Sequence, residues 1–212
     1  DPEMNVRLRL AVQKARESNM PLDNIERATK RGAGLGDGST EALSEIKYEG
    51  YAPGGAAILL EVLTDNSTRT VSEVRNVFNK GGGSLGEPGS VAWNFESKGV
   101  VQVEVSQEQA EELALIAIDA GAEDFDQDGT VLEIRTEPGA FEVVRKSLEE
   151  AGTNLVRAEI AMLPKTTLAL DVKHASQTMR LMDRLEDLDD VQRVYTNADF
   201  PDEALEEYST AG

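Results

Sequence analysis

Residues 48–70 read YEGYAPGGAAILLEVLTDNSTRT, and this stretch decides the fold. Its continuous apolar run, residues 56–63, predicts a buried strand, and the polar residues that follow predict the start of a helix over residues 69–80. A glycine-rich segment, GGGSLGEPGSVAW at residues 81–93, comes directly after that helix. The stretch combines turns, a strand and a capped helix and has no arrangement typical of a catalytic centre. It therefore indicates a protein that recognises a partner.

The composition excludes several classes of site. The 212 residues contain no cysteine, which excludes disulfides, thiolate zinc sites and cysteine nucleophiles. No window approaches the roughly 18 to 20 apolar residues of a membrane-spanning helix, and no signal-peptide pattern opens the chain. We therefore expect a cytoplasmic protein that has no membrane partner.

Charge is distributed unevenly along the chain. The formal net charge of −19 argues against nucleic acid, since Lys and Arg drive phosphate binding. The imbalance, however, is concentrated in residues 106–212, which carry −16, whereas residues 37–105 carry −5 and residues 1–36 carry +2. This asymmetry predicts a division of labour between a basic N-terminal part and an acidic C-terminal half.

The N-terminal residues predict a helical domain, a hairpin or bundle over residues 1–36. Asp1 followed by Pro2 is typical of a helix N-terminus. The apolar periodicity predicts a helix over residues 3–18 and a second, short helix after Pro21. A hairpin of this size is not stable by itself. We therefore expect that the domain continues upstream of Asp1.

The rest of the chain predicts two α/β domains, so that the fold class is α+β. The first is a central domain over residues 42–105. The tail, residues 197–212, is a candidate further segment of this domain. The second covers residues 106–196 and is acidic. Its order β-α-β-β-α-β, from a strand at 131–135 to a strand at 191–195, predicts a ferredoxin-like domain with helices on one face of an antiparallel sheet.

Three patterns that suggest chemistry are not supported by their context. Residues 81–86 match G-x-G-x-x-G, but a dinucleotide site needs this pattern between a strand and a helix, and here it follows a helix. His174 is the only histidine, so a zinc site lacks further ligands, and no serine lies in a G-x-S-x-G elbow. The acidic run over residues 183–190 lacks the order of a calcium loop. We expect no enzymatic activity, no cofactor, no metal and no small-molecule substrate.

Two groups of basic residues are candidate phosphate contacts. On the central helix, a hydroxyl cap at Ser67 or Thr68 and an arginine near the N-terminus are typical of a phosphate site. An ordinary polar face, in which Arg69 or Arg75 pairs with a neighbouring carboxylate, is the alternative. The candidate nucleic-acid-binding residues on this helix and on the N-terminal helices are Arg69, Arg75 and Lys80, and Arg7, Arg9, Lys14, Arg16, Arg27, Lys30 and Arg31.

Six separated motifs follow one another along the chain. They are NMP at residues 19–21, DNI at 23–25, YEGYAPGG at 48–55, LTDN at 63–66, RTV at 69–71 and the glycine-rich residues 82–91. Together they resemble the YebC/PmpR family, whose mitochondrial relative is the translational activator of cytochrome c oxidase, over essentially the whole chain. The resemblance implies a helical bundle followed by two α/β domains, no enzymatic activity and no cofactor. It also implies a strongly basic segment that precedes Asp1.

The resemblance further implies a regulator of gene expression. Members of the family are described as DNA-binding transcriptional regulators and as translation factors at stalled ribosomes. We hypothesise a cytoplasmic translation factor that binds ribosomal or transfer RNA through its basic N-terminal helices, with Arg69, Arg75 and Lys80 as a second surface. A transcriptional regulator on promoter DNA, and an adaptor that docks its acidic domain on a ribosomal protein, are the alternatives.

Overall fold

The computed structural model of the chain describes residues 5–33 and 43–211 and confirms an α+β protein. The helices in the described part are α1 (Val6–Glu17), α2 (Leu22–Gly32), α3 (Ser67–Lys80), α4 (Gln107–Asp119), α5 (Phe141–Glu150), α6 (Val172–Glu186) and α7 (Asp202–Ala211). The strands are β1 (Ser44–Tyr51), β2 (Ala57–Thr64), β3 (Ser84–Leu85), β4 (Phe95–Glu104), β5 (Ala122–Asp128), β6 (Val131–Thr136), β7 (Leu155–Pro164), β8 (Leu168–Ala169), β9 (Val191–Thr196) and β10 (Ala198–Asp199). They form two four-stranded sheets and a two-stranded ribbon.

The helices α1 and α2 form an N-terminal hairpin. The Oδ1 atom of Asn5 accepts a hydrogen bond from the Leu8 N–H at 3.1 Å and so caps α1. The predicted cap, Asp1, lies outside the described residues. Asn19 has a φ of 56° in the turn between the helices, a conformation that asparagine adopts more readily than most residues. Among the described residues of α2 only Ile25 is buried, so this helix leaves its polar side chains at the surface.

The first sheet has the strand order β3-β1-β2-β9. β2 lies between β1 and β9, and Ile58, Leu59 and Leu60 are completely buried, which accounts for the continuous apolar run in the sequence. α3, α6 and α7 cover one face of the sheet, where Phe78 and Leu181 share a core with Ile58 and Leu60. β1 is antiparallel to both β2 and β3 and lies between them, so β2, α3 and β3 form a split β-α-β unit.

The second sheet has the order β5-β6-β4-β7, and every neighbouring pair is antiparallel. In chain order its elements are β4, α4, β5, β6, α5 and β7, which is the ferredoxin-like arrangement. Val101 and Val103 of β4 and Ile134 of β6 form a core with Leu113 of α4 and Phe141 of α5. Both helices therefore cover one face of an antiparallel sheet, as expected for a ferredoxin-like domain.

The strands are distributed between the two sheets differently from the prediction. The prediction placed the strands near residues 155–162 and 191–195 in one sheet, whereas β7 pairs with β4 and β9 pairs with β2. Residues 167–171, also predicted as a strand of that sheet, contribute only β8, which pairs in parallel with β10. An alternating order of strands and helices fits more than one starting strand, and only the long-range pairing decides between them.

This pairing leads us to propose revised domain boundaries. A central unit consists of residues 43–94 and 165–211, and an inserted unit consists of residues 95–164. The predicted boundary between residues 105 and 106 would separate β4 from β6 and β7, with which it pairs. The C-terminal tail packs in the core of the central unit through Ala204 of α7.

Two asparagines hold the chain where it passes between the units. The Asn94 side chain accepts a hydrogen bond from the Thr166 N–H at 3.0 Å and donates one to the Thr166 carbonyl at 2.9 Å. The Asn197 side chain donates to the same carbonyl at 3.1 Å and accepts from the Ala57 N–H at 2.7 Å. These bonds fasten both ends of the inserted unit to the start of β2.

Candidate nucleic-acid interface

The N-terminal hairpin exposes a dense set of cations. Residues 6–32 contain seven Lys and Arg residues against three Asp and Glu residues. The exposed members of this set are Arg9, Lys14, Arg16, Arg27, Lys30 and Arg31. The side chain of the seventh, Arg7, lies outside the described part of the structure. Clustered cations produce a positive potential that attracts phosphate groups, so the hairpin has the electrostatics of a nucleic-acid contact.

Helical spacing arranges these cations in rows. Arg9 and Arg16 lie two turns apart on α1, and Arg27 and Arg31 lie one turn apart on α2, so each pair shares one side of its helix. The Lys30 ammonium lies 3.9 Å from the Glu26 carboxylate, and both side chains are mostly exposed, so water and salt weaken this pair. The Glu26 carboxylate therefore leaves most of the charge of Lys30 available to a partner.

Arg69 is bound to carboxylates of its own chain. Its guanidinium donates to Asp65 at 3.1 Å and to Asp190 at 3.0 Å. The Asp190 carboxylate also accepts from the hydroxyls of Thr70 at 2.6 Å and Thr64 at 3.0 Å. Burial raises the pKa of Asp190, but the hydrogen bonds from Thr70, Arg69 and Thr64 outweigh it and hold the pKa below its usual value. An internal carboxylate thus lies where the sequence suggested a phosphate, which favours the alternative of an ordinary polar pairing.

The three candidate cations of α3 do not form one cluster. Asn66 caps the helix by accepting from the Arg69 N–H at 3.0 Å, in place of the predicted hydroxyl of the first turn. Arg69 and Lys80 are eleven residues apart, which is about 16 Å along an α-helix. Arg75 and Lys80 are exposed. Of the three candidates on this helix, Arg75 and Lys80 are therefore the ones that suit a second anchoring surface.

A buried carboxylate organises a loop at the other end of the first sheet. Glu49 of β1 is 7% exposed. Its two carboxylate oxygens accept hydrogen bonds from the backbone N–H groups of Gly89, Val91 and Ala92 at 2.6, 2.7 and 2.7 Å. Burial raises the pKa of Glu49, but the three donors outweigh burial and hold the pKa below its usual value. The ionised side chain therefore fixes the backbone of residues 86–94, which we call the Trp93 loop.

Two aromatic side chains lie at the surface of the Trp93 loop. Trp93 is 68% exposed, and its indole N–H donates to the Ser90 carbonyl at 2.9 Å. Tyr51 is 37% exposed, and its hydroxyl donates to the same carbonyl at 3.1 Å. Neither Glu49 nor Trp93 is among the site residues predicted from the sequence. The available signal was local, since Trp93 stands in a segment of glycine, proline and serine that has no apolar periodicity.

Other chemistry is not assembled in the described part of the chain. Within residues 5–33 and 43–211, no three His, Asp or Glu side chains are grouped so that they could hold a metal ion. The Nδ1 atom of His174 lies 2.7 Å from the carboxylate of Asp171, which also accepts the His174 N–H at 2.9 Å and caps α6. His174 is thus a partner in a helix cap. No helix in these ranges is both long and apolar enough to cross a membrane.

Comparisons with known proteins agree over most of the chain. The family model described as TACO1/YebC protein N-terminal domain matches residues 1–35, and the one described as TACO1/YebC second and third domain matches residues 43–198. A probable transcriptional regulatory protein of Moorella thermoacetica is 53% identical over 204 residues, which is 95% of this chain and 80% of that protein. A protein of the same description from Treponema pallidum is 50% identical over 205 residues, which is 97% of this chain and 83% of that protein. The crystal structure of a conserved hypothetical protein from Aquifex aeolicus matches with a TM-score of 0.83 and 44% identity, covering 95% of this chain and 82% of that one.

Proposed function

The chain belongs to the TACO1/YebC family, and from this premise we propose that it regulates gene expression by binding nucleic acid through its N-terminal hairpin. Family membership confirms the resemblance to the YebC/PmpR proteins. Relatives named probable transcriptional regulatory protein support the role of a regulator. The observation that carries the nucleic-acid part of the proposal is the exposed row of cations on α1 and α2.

We favour RNA at the ribosome as the target. The resemblance to a mitochondrial translational activator supports a translation factor that acts on ribosomal or transfer RNA. The acidic residues 106–212, with a net charge of −16, also support a site on the ribosome, because they are attracted to basic ribosomal proteins. The names of the relatives favour promoter DNA as the second candidate.

The proposal is tested by reversing charge on the hairpin. We expect Arg27→Glu/Arg31→Glu to weaken binding to RNA and to lower the slope of log affinity against log salt by about two, since each lost phosphate contact removes about 0.9 from that slope. The matched control is Arg180→Glu/Arg184→Glu on α6, which places the same charges one helical turn apart on exposed positions. Fluorescence anisotropy with a labelled RNA stem-loop and a labelled DNA duplex measures both affinities. Equal effects of the two double variants would contradict a specific role of the hairpin.

The second anchoring surface and the choice of target need separate measurements. Arg75→Glu/Lys80→Glu is expected to weaken binding further in the same anisotropy assay, and an unchanged affinity rejects that surface. Co-sedimentation of the full chain with ribosomes is compared with its binding to promoter DNA. Binding to DNA at physiological salt, without co-sedimentation, would replace the translation factor with a transcriptional regulator.

A further inference from the structure

The Trp93 loop has the features of a binding element for unpaired bases. We propose that Trp93 is a stacking contact for a base of single-stranded RNA, presented on a backbone that Glu49 fixes from within the central unit. This inference rests on the proposed function, because it names a second contact to the same nucleic acid at a site where none of the candidate cations lies.

The Trp93 side chain is mostly exposed, and a hydrogen bond from its indole N–H fixes its position. Trp93 is 68% exposed, the largest exposed fraction among the large apolar side chains of the described residues. Its N–H donates to the Ser90 carbonyl at 2.9 Å, and the Tyr51 hydroxyl donates to the same atom at 3.1 Å. The ring is therefore held at its N–H edge while most of the side-chain surface remains open to solvent. Base stacking on proteins uses such faces and tolerates any base, because every base has a π-face of its own.

The loop under the ring is rigid before any ligand arrives. The Glu49 carboxylate holds the loop at three points, the backbone N–H groups of Gly89, Val91 and Ala92. Val91 is buried, and Asn94, the next residue after Trp93, is fastened to Thr166. A contact that is already ordered loses little conformational entropy on binding. An exposed ring on an ordered loop is therefore suited to bind a ligand, since a ring that only stabilised the fold would be buried in the core.

The surroundings suit the backbone of a single strand. Lys165 donates its backbone N–H to the Asn94 carbonyl at 2.7 Å, so its backbone lies beside the loop, and its side chain is exposed. Glu87 is the carboxylate of the loop that faces solvent. It repels phosphate groups only in its own neighbourhood. The Pro53–Gly55 turn lies at the same end of the sheet, and a Cβ atom at Gly55 would meet no heavy atom within 4 Å. A nucleic-acid chain can therefore approach the backbone closely at Gly55.

A protein partner fits the loop less well. Protein hot spots usually lie in the middle of an apolar patch that excludes water. Within residues 86–94 no second large apolar side chain faces solvent, because Val91 is buried. Exposed apolar residues such as Leu115 and Phe125 lie on the inserted unit instead. The indole N–H, which would pair with a partner protein, is already bonded to Ser90. A small exposed aromatic surface, Trp93 with Tyr51 beside it, and no surrounding apolar patch from the loop therefore favour a base.

The first test uses the fact that Trp93 is the only tryptophan of the chain. The full chain is titrated with unlabelled oligouridine and oligoadenosine, and the intrinsic tryptophan emission is recorded. We expect emission to be quenched as the oligonucleotide binds, with the same midpoint as in an anisotropy titration with a labelled oligonucleotide. Binding by anisotropy with no change of emission at saturation overturns the inference but leaves the proposed function intact. Absence of binding in both titrations overturns the proposed function and the inference together.

The second test replaces the ring. Trp93→Ala is expected to weaken binding to oligouridine at least about fivefold, since a stacked base contributes about 1–3 kcal/mol, whereas Trp93→Phe retains most of the affinity. Binding to a fully paired RNA duplex is expected to change little in both variants. Leu115→Ala is the matched control, because Leu115 is 67% exposed on the inserted unit. An unchanged oligouridine affinity of Trp93→Ala, with reduced co-sedimentation with ribosomes, would identify a protein partner and overturn the inference.

Discussion

Replacing Glu49 with glutamine tests whether one buried carboxylate supports the Trp93 loop. The change keeps the size of the side chain and removes its charge. In the wild type, one carboxylate oxygen accepts from Gly89 at 2.6 Å, and the other accepts from Val91 and Ala92, both at 2.7 Å. The glutamine oxygen can replace only one of these two oxygens, and the amide NH2 group then faces a backbone N–H.

The size of the effect follows from these contacts. If the amide oxygen keeps Val91 and Ala92, the Gly89 N–H loses its acceptor, and an unsatisfied buried donor costs about 1–3 kcal/mol. The two remaining bonds change from charge-assisted to neutral, which weakens each of them by about half. We therefore expect the free energy of unfolding to fall by about 3 kcal/mol. The opposite amide orientation leaves two donors unsatisfied and costs more.

The assay is urea unfolding followed by far-ultraviolet circular dichroism and by Trp93 emission. Glu96→Gln is the control, because it makes the same chemical change at an exposed position of β4. The Trp93 signal of Glu49→Gln is expected to change at lower urea than the dichroism signal, since the loop loses its anchor first. Equal midpoints for the two variants would refute the role of Glu49.

The same variant gives a prediction about pH. The pKa of Glu49 in the folded protein lies below its usual value of 4.5, so the folded state holds the ionised form more strongly than the unfolded state does. Ionised Glu49 therefore stabilises the protein above pH 4.5, and this contribution is lost as the pH falls through the pKa of the folded state. We expect Glu49→Gln to lose less stability than the wild type between neutral pH and pH values below 4.5. Parallel pH profiles would contradict this account.

Two further predictions concern contacts away from the Trp93 loop. Asp190→Asn is expected to cost about 1 kcal/mol, since the half-exposed Arg69 loses a screened ion pair; a double-mutant cycle with Arg69→Gln in urea unfolding should return a coupling energy near that value, and additive effects would reject the pair. Gly99→Ala is expected to cost about 2 kcal/mol or more, because a Cβ atom there would lie 2.7 Å from the ring of Phe141. Gly139→Ala, where a Cβ atom meets no heavy atom within 4 Å, should change the unfolding midpoint little.

The local elements were predictable because their signals lie within a few residues of one another. The apolar run of β2, the amphipathic pattern of α3 and the strand–helix alternation predicted a mixed α+β protein with a ferredoxin-like domain. The predicted ferredoxin-like domain left out its first strand, β4, and included β9, which belongs to the other sheet. β4 and β9 have apolar patterns that fit either sheet, and the choice depends on pairing with strands far away in the chain, such as Glu61 of β2 with Arg193 of β9.

The candidate site, too, was predictable from the sequence only in part. Exposure of the cations on α1 and α2 follows from their positions in short polar helices, and the sequence was sufficient to predict it. The partner of Arg69 was not predictable, because Asp190 lies 121 positions further along the chain. A phosphate site and an internal ion pair need the same residues near Arg69, so only the folded position of Asp190 distinguishes them.

The sequence by itself determined the family, the types of the elements and the segregation of charge, since each depends on residue identity and short-range order. The tertiary structure alone decided which strands share a sheet, which carboxylate meets Arg69 and where the sole tryptophan points. Large aromatic side chains are usually buried, and the glycine, proline and serine residues of the segment 86–94 indicate a loop but not the side of the loop on which Trp93 lies. In the folded protein Glu49, forty-four residues before Trp93, holds the backbone of the loop, and the Trp93 ring lies outside the core.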